Sequence, residues 1–575
     1  MCYINNSSMG EKELCNMFSY ECQIHPVTSF ENLNNFRKMD TLCDITIKVG
    51  PKCFRAHKVV LSSASPYFHA MFTTGLREGS AEEVELHGVD PDSVAILLDF
   101  IYTSKIKILE ENVQLLLPAS NILQLSTVRE ACCNFLNHQL DPCNALGILL
   151  FADTHNCTSL VEAAESYVLQ NFVNVSQTEE FLTLSSDRMK YLLQSDCLVA
   201  DKEASVYTAL VKWIRHDITG RSQFLSDLLG CIRLPLLTRD FLMLTVEAEE
   251  LIKSNPMCKD LLIEAMKYHL MPEMRRYLQT IRTLPRTGRK KDTMIYALGG
   301  QNLFSIHYEC ERFIVKNDSW EVIPSMAIRR ARLGIGVIYN DLYAVGGFSG
   351  TQDLNSVEVY NTETKVWSNG QQMGTSRSCL GVTVLHNLLY AIGGFDGSFC
   401  LSSVERYDPL SNQWTSVAKM NSKRRYVSVS VLDEHIIAAG GYDGNKHLNS
   451  CEVYDPVSNV WTTRSPMTTQ RSSAGGCVLN GYFYVSGGTD GSVIVTSVER
   501  YNMQTDQWTT VRPMSSVRMT HSMVVINNKL LAIGGNDGTT SLNSMEEYDP
   551  DKDVWVLCSP MNTRRSHIAA AVLMA

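Results

Sequence analysis

The sequence predicts a multidomain chain: an α/β domain, an all-α domain and an all-β propeller of six blades. Three observations carry this. First, six glycine pairs, Gly299-Gly300, Gly346-Gly347, Gly393-Gly394, Gly440-Gly441, Gly487-Gly488 and Gly534-Gly535, recur at a step of 47 residues. A period of that length marks a repeat architecture, and a glycine doublet with a late tryptophan marks a propeller blade. Second, other columns keep the same step: Trp320 to Trp555, Glu311 to Glu546, Met326 to Met561 and Arg330 to Arg565. Third, residues 112 to 273 carry helical periodicity almost throughout, after a stretch of mixed strand and helix patterns over residues 40 to 140.

The elements follow in order. Cys43 to Val49 alternates as a strand, Pro66 to Phe72 opens an amphipathic helix after Ser65, Glu82 to Leu86 is a second strand, and Pro91 to Ile101 a helix. Ala204 to Ile214 aligns Val206, Ala209, Leu210 and Trp213 at helical spacing, a core stripe. In the repeat, Leu333 to Ile338 is the small-residue inner strand, and Leu342 to Val345 runs into a glycine bend that needs positive φ. Ser356 to Tyr360 is a half-buried strand, and Trp367 sits on a fourth. Charges kept in every copy, the Glu and Arg columns, are structural partners, because a catalytic centre needs one constellation rather than six. The first copy lacks an inner strand and the last has one to spare, so residues 567–574 are expected to close the ring and remove open edges.

A net charge of −10 argues against a general nucleic-acid or anionic-membrane binder. No apolar run has the length of a membrane span, and residues 1–20 lack an apolar signal core. The 18 cysteines form no C-x-x-C pair and read as reduced thiols, which places the chain in the cytoplasm, with the nucleus or cytoskeleton as alternatives. No metal or cofactor is expected. The segment Arg275 to Lys291 is basic and reads as a solvated linker.

Leu42-Cys43-Asp44-Ile45-Thr46, Ala56-His57-Lys58-Val59-Val60-Leu61 and Ala70-Met71-Phe72 resemble a BTB (POZ) domain. Asn144 to Ile148, Trp213-Ile214-Arg215-His216-Asp217 and Ala265 to Glu273 resemble a BACK domain, and the repeats resemble kelch motifs. That order is similar to the Kelch-like family. Expected boundaries are a flexible segment at 1–28, BTB at 29–138, BACK at 139–273, a basic linker at 274–292 and the propeller at 293–575.

The resemblance implies a non-catalytic adaptor. BTB and BACK hold cullin-3 and BTB forms a homodimer, while the propeller captures a target protein for ubiquitination. It assigns cullin contact to Leu76, Arg77 and Glu78, with His69 and Asp153. It assigns the dimer contact to Phe30, Leu33, Phe36, Asp44 and Lys58. It places the target pocket on two columns. The residues after each glycine pair include Phe348, Phe395, Tyr442, Thr489 and Asn536. Those two past each repeated Arg are Arg332, Cys379, Tyr426, Ser473, Thr520 and His567. Such a pocket suits a short peptide with an acidic or polar residue for Arg332. The alternative reading is an actin-binding cytoskeletal scaffold. A copper oxidase built on such a propeller is disfavoured, because the propeller histidines form no H-x-H pair. A zinc-finger transcription factor is disfavoured too, because no zinc-ligand series follows.

Overall fold

In the computed structural model, residues 21–22, 24–73, 80–200, 202–286, 288 and 292–574 are described. The chain divides into two compact units, Met1–Thr183 and Leu184–Ala575, so the division falls inside the expected all-α domain.

In the first unit, Ile45–Val49 pairs antiparallel with Lys52–Ala56 and parallel with Glu83–Glu85. Alternation buries Ile45, Ile47 and Val49 against Val94, Leu97, Leu98 and Leu116. The helix Pro91–Thr103 starts where the Asp90 side chain accepts the Ser93 amide at 2.8 Å and ends on Ser104 in the left-handed region. Further helices, Glu110–Ile122, Ser126–His138, Ala145–Thr154 and Thr158–Gln170, extend this core.

In the second unit, Glu203–His216 buries the stripe Val206, Ala209, Leu210 and Trp213 as its spacing predicts. The basic stretch that follows departs from expectation. Arg275 is fully buried, and Arg286 donates to Glu203 and to the Leu193, Ser195 and Cys231 carbonyls. Far from a solvated linker, residues 272–286 are strapped to the unit, because each of these guanidinium groups finds acceptors that a sequence pattern does not reveal.

The remainder is the propeller. Six four-stranded sheets occur among the described residues. In the second, the inner strand Gly334–Ile338 is followed outward by Asp341–Val345, Val357–Asn361 and Val366–Gly370, all antiparallel. The twelve glycines of the doublets all have positive φ, and a Cβ on Gly346 would collide with the Arg377 carbonyl. Ala569–Met574 pairs with Thr293–Leu298, register Ala570 to Ala297, and so supplies the inner strand of the first sheet.

Between sheets, every repeated Arg reaches the repeated Glu of the next blade. Arg330–Glu358, Arg424–Glu452, Arg471–Glu499 and Arg518–Glu546 stand at 2.9 Å, Arg377–Glu405 at 3.0 Å. Arg565 meets Glu311 at 2.9 Å, joining the last blade to the first. All six guanidinium groups are buried, and burial pulls the pKa of Arg330, Arg377, Arg471 and Arg518 down against the pull of their carboxylates. The geometry meets the demands of a buried charge. Arg424 also donates to the Gly440 and Ser450 carbonyls and the Ser450 hydroxyl, and Glu452 accepts the Asn421 and Ser422 amides. Each repeated Trp donates its indole N–H to the blade before it, as Trp461 does to Ala418 O at 2.9 Å.

Glu452→Ala would leave the Arg424 charge buried and uncompensated. We expect it to cost about 3–5 kcal/mol in denaturant unfolding. Glu250→Ala, which breaks an exposed pair with Lys253, should cost under about 1 kcal/mol. Equal losses would show that the repeated pair does not hold the blades together.

Candidate functional site

The two varying columns of the propeller meet around its axis, and backbone hydrogen bonds place both. Arg332 N donates to His567 O at 3.1 Å, Cys379 N to Arg332 O at 2.9 Å and Tyr426 N to Cys379 O at 2.7 Å. Ser473 N donates to Tyr426 O at 3.2 Å, Thr520 N to Ser473 O at 2.7 Å and His567 N to Thr520 O at 2.9 Å, which returns to the start. All six residues have φ between 52° and 60°. None is glycine, so each carries a strain of about 1 kcal/mol that the ring of bonds offsets. Only the backbone is used, which leaves these six side chains free to differ.

The second column is fixed by reciprocal bonds to the residue before each member of the first. Phe348 and Ala331 exchange bonds at 2.7 and 3.0 Å, as do Phe395 with Ser378 and Tyr442 with Arg425. These bonds bring the Arg332 guanidinium over the Phe348 ring, 5.2 Å from its centroid. Tyr426 and His567 come from opposite sides of the ring, and their side-chain rings approach to 5.9 Å.

Not every expected pocket residue is free to bind. Cys379 and Thr520 are buried. The Cys379 thiol is pushed up by burial and stands 3.6 Å from the Ser378 hydroxyl. Asn536 caps its own loop through the Gly538 amide, and Thr489 donates to Val493 O while accepting the Gly491 amide. The polar side chains of the last two blades are thus spent on their own turns. Half-buried Arg332, Phe348, Phe395, Tyr426, Tyr442, Ser473 and His567 remain.

Sequence reasoning missed Arg425, one residue past the repeated Arg. Its guanidinium stands 5.2 Å from the Phe395 centroid, 4.9 Å from Tyr442 and 5.9 Å from Tyr426. Most other blades carry Ala or Ser there, and the lone arginine in that column was the available signal. The Nε atoms of Arg332 and Arg425 are buried without a hydrogen-bond partner, and neither guanidinium meets a carboxylate among the described residues. Two unneutralised cations framed by aromatic faces favour an anionic group. Also missed were Phe304 and Phe399 at equivalent hairpin tips, 94% and 67% exposed.

In the first unit, Leu76, Arg77 and Glu78 lie outside the described residues. His69 is exposed on Pro66–Thr73 beside the core residue Phe68, and Asp153 is exposed on Ala145–Thr154. Ile24, Val27 and Phe30 present an exposed apolar row on the helix Ile24–Lys38. Leu33 instead packs on the unit's own core, and Phe36 is half-buried, because the helix must also cover that core. Asp44 accepts the Lys58 amide at 2.7 Å, and Lys58 Nζ donates to Ala81 O, so both shape the start of the helix Lys58–Ala64.

Two propeller histidines are held neutral. Burial, reinforced by Arg332, lowers His567 to about 3, and burial with Arg518 lowers His521 to about 3. His521 Nε2 lies 2.8 Å from the Ser486 hydroxyl while its Nδ1 has no partner among the described residues. Their unfolded-state value is 6.5, so the unfolded chain takes up protons first as pH falls. The stability they give is complete above that value and is lost as pH drops towards 3. The propeller's melting temperature should therefore fall between about pH 7.5 and pH 5. His521→Leu, matching Leu333 and Leu380 of other blades, should flatten that slope. An unchanged slope would refute the assignment.

The model of the BTB/POZ domain matches residues 33–140, and that of the BTB And C-terminal Kelch domain matches 145–247. The Kelch motif matches 329–374, 376–421, 423–468, 470–515 and 518–562. The chain is 50% identical over 316 residues to Kelch-like protein 17 of Mus musculus and of Homo sapiens, covering 55% of this chain and 49% of those proteins. It is 44% identical over 329 residues to Kelch-like protein 3 of Homo sapiens, covering 57% of this chain and 56% of that protein. The chain thus spans about half the length of the curated relatives it matches.

Proposed function

The chain belongs to the Kelch-like family of BTB-BACK-Kelch proteins, and from that premise we propose that it is a substrate-recognition adaptor of a cullin-3 RING ubiquitin ligase. The observation that carries the reading is the succession of the three domains in one chain, since proteins so built generally serve as cullin-3 adaptors. The BTB and BACK domains bind cullin-3, the exposed row Ile24, Val27 and Phe30 pairs two copies, and the propeller holds the target. The adaptor performs no bond chemistry itself. Two propellers in a dimer raise the effective concentration of a target's second attachment point.

The axial site gives capture its chemistry. Arg332 and Arg425 read an acidic segment, Phe348, Phe395 and Tyr442 flank it, and the tips Phe304 and Phe399 touch the body of the target.

Pull-down tests the first half. Wild-type chain should retain cullin-3, and Leu76→Asp with Glu78→Lys should lose it while remaining dimeric. Retention by the double variant would remove those contacts from the site. Absence of cullin-3 from the wild-type sample would favour the actin-scaffold alternative.

Proximity labelling tests the second half. Proteins marked by the wild type should be lost with Arg332→Ala or Arg425→Ala at unchanged melting temperature. Peptides from their acidic segments should bind about tenfold more weakly to either variant, and Glu→Gln changes in the peptide should act alike. Binding indifferent to both changes would exclude an acidic ligand.

A further inference from the structure

Arg275 lies just past the helix Pro256–Leu270, on the short 3-10 helix Pro272–Tyr277, yet its side chain is 1% exposed. Its guanidinium forks onto Asp408, Nη1 to Oδ1 at 3.3 Å and Nη2 to Oδ2 at 2.8 Å. Its Nε donates to the Tyr268 carbonyl at 3.1 Å, and the Tyr268 ring lies 4.6 Å away. Asp408 ends the third-blade strand Val404–Asp408 and also accepts the Leu410 amide at 3.0 Å. Beside this fork Arg406 faces Glu273 at 4.0 Å. The Tyr339 hydroxyl of the second blade is buried nearby with no hydrogen-bond partner among the described residues. The contact therefore joins the helices Pro256–Leu270 and Pro272–Tyr277 to the third blade, within the single unit Leu184–Ala575. On the helical side, Arg282 bonds Glu264 at 2.6 Å and Arg286 bonds Glu203 at 2.8 Å, which straps the connection down.

We infer that the helices Pro256–Leu270 and Pro272–Tyr277 and the propeller move as one piece, and that the Arg275–Asp408 fork is the joint. A bidentate guanidinium–carboxylate pair fixes angle as well as distance, which a Lys in the same place would not. Dry surroundings make each partner costly without the other, so the joint opens only by exposing both. This rests on the adaptor reading for its consequence: the axial site is held at one attitude to the helical layer, so a captured protein is presented in one orientation. Arg275 is then a positioning residue, touching no target.

Hydrogen exchange and calorimetry of the full chain test the joint without a target. Wild type should unfold Pro256–Leu270 and the propeller in one transition. Arg275→Ala and Asp408→Asn should each split that transition and speed amide exchange in Pro256–Leu270 at least about tenfold. The double variant should be no worse than either single one. Arg275→Lys should restore only part of the coupling, and Arg282→Ala should leave one transition. A wild type that unfolds in two steps, or single variants with unchanged exchange, would overturn the inference. If Arg275→Ala does not fold, Asp408→Asn alone decides, since it keeps the shape of the turn. A wild type that fails to retain cullin-3 would sink the adaptor reading and leave these outcomes unaffected.

Discussion

A buried arginine–glutamate pair between consecutive blades is the constraint on which the propeller depends. An ion pair removed from water is stable only when its remaining donors and acceptors are satisfied. Here the guanidinium donates to two carbonyls and a serine hydroxyl, and the glutamate accepts two backbone amides. Those partners come from the glycine bend, the following strand and the turn before the arginine. The arginine and its glutamate keep the same separation along the chain in each of the five pairs from Arg330–Glu358 to Arg518–Glu546. The same pair at Arg565 and Glu311 ties the end of the chain to its first blade.

Two residues beyond each such arginine the chain turns into the left-handed region and bonds to its neighbours around the axis. Because backbone atoms make these bonds, the scaffold places few demands on the side chains they carry. Variation collects where it cannot harm the ring, and that position faces the axis. Scaffold and proposed recognition positions thus sit two residues apart: Arg330 is wholly buried and paired, while Arg332 meets no carboxylate among the described residues.

Much of this was legible in the sequence. The repeat announces the blades, the bends and the structural charges, and Arg332, Phe348, Phe395, Tyr426 and Tyr442 stand in columns that vary from copy to copy. Variation alone did not separate exposed positions from buried ones. Cys379 is covered, and Asn536 and Thr489 cap their own turns. Arg425 stands one residue before the varying column, and only the fold brings its guanidinium to the Phe395 and Tyr442 rings. Leu33 shares a helix with the exposed Phe30 but faces the core, a matter of which side of a short helix the rest of the unit occupies.

The basic stretch at 275–291 shows the boundary between the two kinds of information. Periodicity records which residues recur at a fixed distance along the chain, and repeated packing leaves that trace six times over. By itself, therefore, the sequence determined the domain order, the propeller and its load-carrying columns. The Arg275–Asp408 fork joins residues separated by 133 positions and occurs once, so no pattern registers it. Arginine looks the same in sequence whether water or a carboxylate meets it. Only the tertiary structure decided which guanidinium groups are locked within the fold and which, at the axis, meet no carboxylate among the described residues.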